Sequence, residues 1–176
     1  GNGIEPGITQ GPLIDAAALA KVEELVADVV GHGGRVVMGG RRHALGGTYY
    51  EPTILADVTP AMKVAKEEIF GPLLPIKPYR EPEEVTAYVN DRDRPLAFYP
   101  FTNDRRLAER YITQIISGSV GVNEAIVQAG QHDLPFGGVG PSGMGHYHGR
   151  EGFETFSKLR PVFRQAPVSA LKYLGP

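Results

Sequence analysis

The chain has 176 residues, enough for a real hydrophobic core, and it is 41% hydrophobic and 22% charged, the composition of an ordinary globular protein. A net charge of −2 gives no bulk attraction to nucleic acid or to an anionic membrane, and no apolar run approaches the ~18 residues that a bilayer span needs. Cysteine is absent, so disulfides, thiolate metal sites and a cysteine nucleophile are excluded within these residues.

Gly1 rather than Met opens the chain, which points to processing or trimming. The first residues carry neither a basic region nor an apolar core, so a signal peptide is not expected and the cytoplasm is the favoured compartment. Asp15 can cap a helix, with Ile14 and Leu19 placed as a hydrophobic staple. Leu19, Val22, Val26, Val29 and Val30 keep helical spacing until Gly31, Gly33 and Gly34 stop it. Residues 35–38 read as a short β-branched strand. Residues 49–55 read as a second strand, with Pro52 marking an edge or an irregularity.

Residues 73–76 are apolar and extended. Pro82 can open a helix, with Glu83 and Glu84 at the favourable end of its dipole. A strand over 96–101 follows. Asn103 then caps a helix that carries Leu107, Tyr111, Ile112 and Ile115 on one face, and a strand returns at 119–122. This alternation implies an α/β fold, a mostly parallel sheet with flanking helices. Residues 137–149 form a glycine-rich loop, and a short helix follows near 151–156. Residues 158–165, KLRPVFRQ, read as a basic strand of the kind that pairs outside its own domain, with residues 166–176 as a terminal arm. Neither an internal repeat nor a low-complexity segment is present.

Three constellations could carry chemistry. In KEEIFGP, residues 66–72, Glu68 and Phe70 would share one face of an extended stretch. A carboxylate can accept both hydroxyls of a vicinal diol, and a ring can wall a flat heterocycle, so the pair suits a ribose–base unit. From the residues alone, a solvated glutamate beside a packed phenylalanine is the simpler reading. The loop from Leu134 lacks the GxGxxG or GK[ST] pattern of a phosphate cradle; a tight turn is the better reading, with Phe136 able to wall a pocket. His132, His146 and His148 could ligate a metal, but with only Asp133 and Glu151 nearby, loop packing is the default and no metal site is assigned. Ser117, Ser119 and Ser142 lie outside any nucleophile-elbow context, and the basic tail lacks the aromatic interleaving of a nucleic-acid strip.

Taken together, GPLID at 11–15, YEPTIL at 50–55, KEEIFGP at 66–72, SGSVGVNE at 117–124 and LPFGGVGPSGMGHYHG at 134–149 resemble the aldehyde dehydrogenase superfamily, in its order and spacing, almost to residue 165. Residues 1 to about 72 look most like succinate-semialdehyde dehydrogenases. The remainder, with GFETFSK after the loop, is similar to coniferyl-aldehyde and class 3-like enzymes. The resemblance implies the C-terminal part of the catalytic domain over 1–157, an oligomerisation strand over 158–165 and an arm over 166–176.

It also implies oxidation of an aldehyde to a carboxylic acid with NAD or NADP, through a thiohemiacetal on a cysteine upstream of this chain. No catalytic residue is therefore assigned here. By resemblance Glu68 binds the nicotinamide ribose, Phe70 packs near the nicotinamide, Phe136 lines the substrate pocket and Asn123 falls near it. The implied partners are a small aldehyde and further copies of the chain, without nucleic acid or membrane. The alternative is a non-catalytic truncated paralogue that serves assembly or binding.

Overall fold

Asp15 opens the first helix. Its side chain accepts a hydrogen bond from the Ala18 amide (2.8 Å), and the helix, α1, runs over Ala16–Gly31. The computed structural model describes residues 1–165 and 167, and the chain divides into two compact units, Gly1–Tyr79 and Arg80–Pro176. Among the described residues no helix is long and apolar enough to cross a membrane.

In the first unit α1 buries Leu19, Val22, Leu25, Val26 and Val29. Leu25 completes the stripe, whereas Val30 turns 54% of its surface to solvent. The expected staple does not form: Ile14 is 93% exposed, and Leu13 packs on the core instead. The helix ends where Gly33 takes φ +85° and the Gly34 amide returns to the Val29 carbonyl at 2.8 Å.

Strands β1 (Arg35–Met38), β2 (Thr53–Ala56) and β3 (Leu73–Pro75) form a sheet in that order. β1 runs antiparallel to β2, with an irregularity between Val36 and Met38, and β3 runs parallel to β2. The second strand is thus central, not an edge. Pro52 is compatible with this because it lies just before the strand, and the Thr53 amide begins the pairing by donating to the Pro72 carbonyl (2.8 Å).

Thr53 and Leu55 are buried, while Ile54 and Ala56 are half-exposed. Leu55 joins Tyr50, Val58, Met62, Val64 and Leu73 in packing with the α1 stripe. Fully burying a side chain of this size contributes about 1.5–3 kcal/mol. Burial also pushes the Tyr50 phenol up. On the surface, Arg42 grips Glu23 with two hydrogen bonds (2.7 and 2.8 Å) and holds that carboxyl below the usual range.

In the second unit Pro82 occupies the first turn of α2 (Pro82–Asn90), with Glu83 and Glu84 beside it. The strands are shorter than expected: β4 (Ala97–Phe98) pairs in parallel with β5 (Ser119–Val120). α3 (Arg105–Gln114) is capped by Asp104, not Asn103; the Asp104 carboxylate accepts from the Arg106 and Leu107 amides at 2.8 and 3.3 Å. Its buried face is Ala108 and Tyr111, continued by Ile115, with Tyr111 edge-on to Phe98 at 5.7 Å. Ile112 stays 40% exposed. Arg110 donates to Glu83 (2.6 Å) and links α3 to α2.

α4 (Gly149–Thr155) begins two residues before its expected start. Among the described residues, 158–165 have neither helix nor ladder partner, and Leu159, Val162 and Phe163 are exposed. The arm over 166–176 lies outside the described residues except for Pro167.

The core predicts a contrast on α1. Leu25→Ala should lower unfolding stability by about 2–5 kcal/mol, while Val30→Ala should change it by under ~1 kcal/mol. Urea unfolding followed by circular dichroism checks this. Equal losses would place Leu25 outside the packed interior.

Candidate functional site

In the first unit the segment 66–72 is held from both ends. A 3-10 turn over Lys63–Ala65 starts it, and the Lys66 and Glu67 amides both return to the Lys63 carbonyl at 2.9 Å. Val64 is buried, Ile69 packs on the core, and Gly71 lies against Val22, where an added Cβ would come within 2.5 Å of a Val22 methyl. With Ile69 facing in, Glu68 and Phe70 face out.

The outward pairing matches the sequence reading, but the backbone does not. Phe70 has φ +48°, a left-handed conformation that an aromatic residue rarely adopts, so the stretch is not extended. Such strain, of order 1–3 kcal/mol, persists only where the neighbours over-determine it, as Ile69 and Gly71 do here.

The Phe70 ring is 78% exposed. Among the described residues the Glu68 carboxylate has no hydrogen-bond or ion-pair partner, although Lys21 donates to the Glu68 carbonyl (2.5 Å). An unspent carboxylate beside a bare aromatic face fits a ribose diol and the flat ring it carries. The nicotinamide half of a dinucleotide therefore suits these two side chains.

In the second unit the glycine-rich loop closes on itself. Phe136 and Tyr147 exchange two backbone hydrogen bonds (2.8 and 2.9 Å), and within them the Ser142 hydroxyl accepts from the Val139 amide at 2.8 Å. Two close approaches require glycine. A Cβ on Gly137 would lie 2.2 Å from the Gly145 carbonyl oxygen, and one on Gly138 would lie 2.1 Å from that of Ser142.

The loop lines a cavity of about 560 Å³ together with Leu96 and Phe156. Phe136, Met144 and Tyr147 supply much of its apolar wall, and no lysine or arginine lines it. Phe136 is among the residues that line this cavity. Leu96, Met144, Tyr147 and Phe156 were not singled out from sequence, because a wall drawn from three segments leaves no periodic signal.

Asn123 does not line this cavity. Its side-chain amide bridges to Thr102, accepting from the Thr102 amide (2.7 Å) and donating to the Thr102 carbonyl (2.9 Å). With φ +56° and its own amide donating to the Pro100 carbonyl, Asn123 braces the turn after β5. His148 stacks on Phe136 (22° between planes) and meets the Tyr147 ring edge-on, while the His132 and His148 rings lie 5.9 Å apart. No group of three or more His, Cys, Asp or Glu among the described residues could hold a metal ion.

The model of the Aldehyde dehydrogenase family matches residues 1–162. A glutarate-semialdehyde dehydrogenase of Pseudomonas aeruginosa is 44% identical over 160 residues, 91% of this chain and 33% of the relative. A probable coniferyl aldehyde dehydrogenase of the same organism is 51% identical over 124 residues, 70% of this chain and 26% of the relative. Succinate-semialdehyde dehydrogenases, one of them named for NADP(+), also match at 41% identity. Among solved structures, a Mycobacterium tuberculosis aldehyde dehydrogenase complexed with NAD+ superposes with a TM-score of 0.80 at 37% identity, over 88% of this chain and 32% of the other. The chain spans a third or less of the length of the two Pseudomonas relatives.

The glycine packing gives a direct test. Gly138→Ala should break the loop, exposing the Phe136 and Tyr147 amides to hydrogen exchange at least ~10-fold faster. Gly130→Ala, where a Cβ meets nothing within 4 Å, should leave their exchange unchanged. Unchanged exchange in Gly138→Ala would refute the close-packed loop.

Proposed function

This chain belongs to the aldehyde dehydrogenase family, and from that premise we propose that it is the C-terminal part of an NAD- or NADP-dependent enzyme that oxidises an aldehyde to a carboxylic acid. The observation that carries this reading is the pair in KEEIFGP: a Glu68 carboxylate without a partner among the described residues, beside an exposed Phe70. The cofactor supplies the hydride acceptor. Glu68 accepts hydrogen bonds from the hydroxyls of its nicotinamide ribose, and Phe70 backs the flat ring that the ribose carries.

Phe136 walls the aldehyde pocket. The apolar lining around it, without lysine or arginine, supports an aldehyde with an apolar body, in keeping with the likeness of residues beyond about 72 to coniferyl-aldehyde enzymes. The nucleophilic cysteine, absent from these residues, belongs to the upstream part of the enzyme, where it forms the thiohemiacetal. Residues 158–165 form the strand by which copies associate. Exposed Leu159, Val162 and Phe163, without a ladder partner among the described residues, support this.

Two outcomes follow. In the full-length enzyme, Glu68→Gln should weaken NAD(P) binding about 10-fold and slow hydride transfer, while alkylation of the upstream cysteine keeps its rate. Unchanged cofactor affinity together with an unchanged hydride-transfer rate would remove Glu68 from the cofactor site. The polypeptide of residues 1–176 should scatter light as an assembly larger than one chain; a clean monomer with a cooperative melt would refute association through 158–165.

A further inference from the structure

The geometry points to Lys21 as a positioning residue for the cofactor, acting through the main chain of Glu68. This rests on the cofactor reading of Glu68 and Phe70. The Lys21 ammonium donates to the Glu68 carbonyl oxygen across 47 residues of sequence. Among the described residues that is the one hydrogen bond made to the backbone of residues 68, 69 and 70. Before them the Glu67 amide bonds to Lys63, and after them the Gly71 carbonyl accepts from Leu73.

The other constraints on this stretch are apolar. Ile69 packs on the core and Gly71 abuts Val22, the residue next to Lys21 on α1. Those contacts fix how far the segment stands from the helix. Among the described residues nothing else hydrogen-bonds the peptide between Glu68 and Ile69. A charged donor on its carbonyl fixes that plane, and with it the direction in which the Glu68 side chain leaves the backbone.

Other lysines near the segment are engaged elsewhere. Lys63 pairs with Glu24, and the Lys66 ammonium donates to the Ala61 carbonyl (2.7 Å). Among the described lysines Lys21 alone bonds to this corner, and its place on a well-packed helix turn gives that tether a rigid base.

The experiment is a double-mutant cycle in the full-length enzyme with Lys21→Met, Glu68→Gln and both, reading NAD(P)H affinity by fluorescence titration and stability by thermal melting. Lys21→Met should weaken NAD(P)H binding about 3- to 10-fold with an unchanged melting temperature. Lys21→Arg should restore most of the affinity. In the Glu68→Gln background, Lys21→Met should have almost no further effect. Unchanged affinity in Lys21→Met would overturn the proposal. So would full additivity with Glu68→Gln, which would mean that Lys21 meets the cofactor itself. A loss that follows the melting temperature and is not rescued by arginine would reduce Lys21 to a structural part, and also overturn it. Glu68→Gln alone tests the underlying cofactor reading: if it has no effect on binding, that reading fails whatever Lys21 does.

Discussion

Val22 against Gly71 is the contact on which the first unit depends. A Cβ at position 71 would stand 2.5 Å from a Val22 methyl, so the chain must carry glycine there to pass this close to α1. Passing that close lets Leu73 enter the core and β3 pair with β2. The same approach fixes the sidedness upstream, with Ile69 inward and Glu68 and Phe70 outward. Hydrophobic packing on one side of the segment therefore determines which groups are offered to a ligand on the other.

The second unit reaches a comparable end by another route. Its cavity wall rests on main chain meeting main chain, at Gly137 with Gly145 and Gly138 with Ser142. Such contacts hold the Phe136 and Tyr147 rings edge to face, with centroids 5.6 Å apart. The recognition surface is consequently formed by a loop whose shape depends on missing side chains as much as on those present.

What could be read from the sequence was local. Asp15 as a cap, the α1 stripe and Pro82 at the start of α2 follow from rules that involve only near neighbours, and they stand in the structure. The errors arose where a distant partner decides. Ile14 has the right spacing for a staple, but Leu13 takes the core position. Pro52 looks like an edge marker until β3 arrives on the far side of β2. Asn123 has the chemistry of a pocket residue, and in the structure its side chain bridges to Thr102, 21 residues away. The outward facing of Glu68 and Phe70 was legible from alternation. The left-handed turn at Phe70 was not, since no local signal marks it.

That turn sets two demands against each other. A backbone with φ +48° is best served by glycine or asparagine, while a flat wall requires an aromatic ring. A selection scheme that rewards thermal stability alone should therefore drift toward Gly or Asn at position 70 and discard the ring. Retention of phenylalanine there would mark selection for something other than folding, which makes this one codon a reporter of whether a lineage still uses the surface it builds.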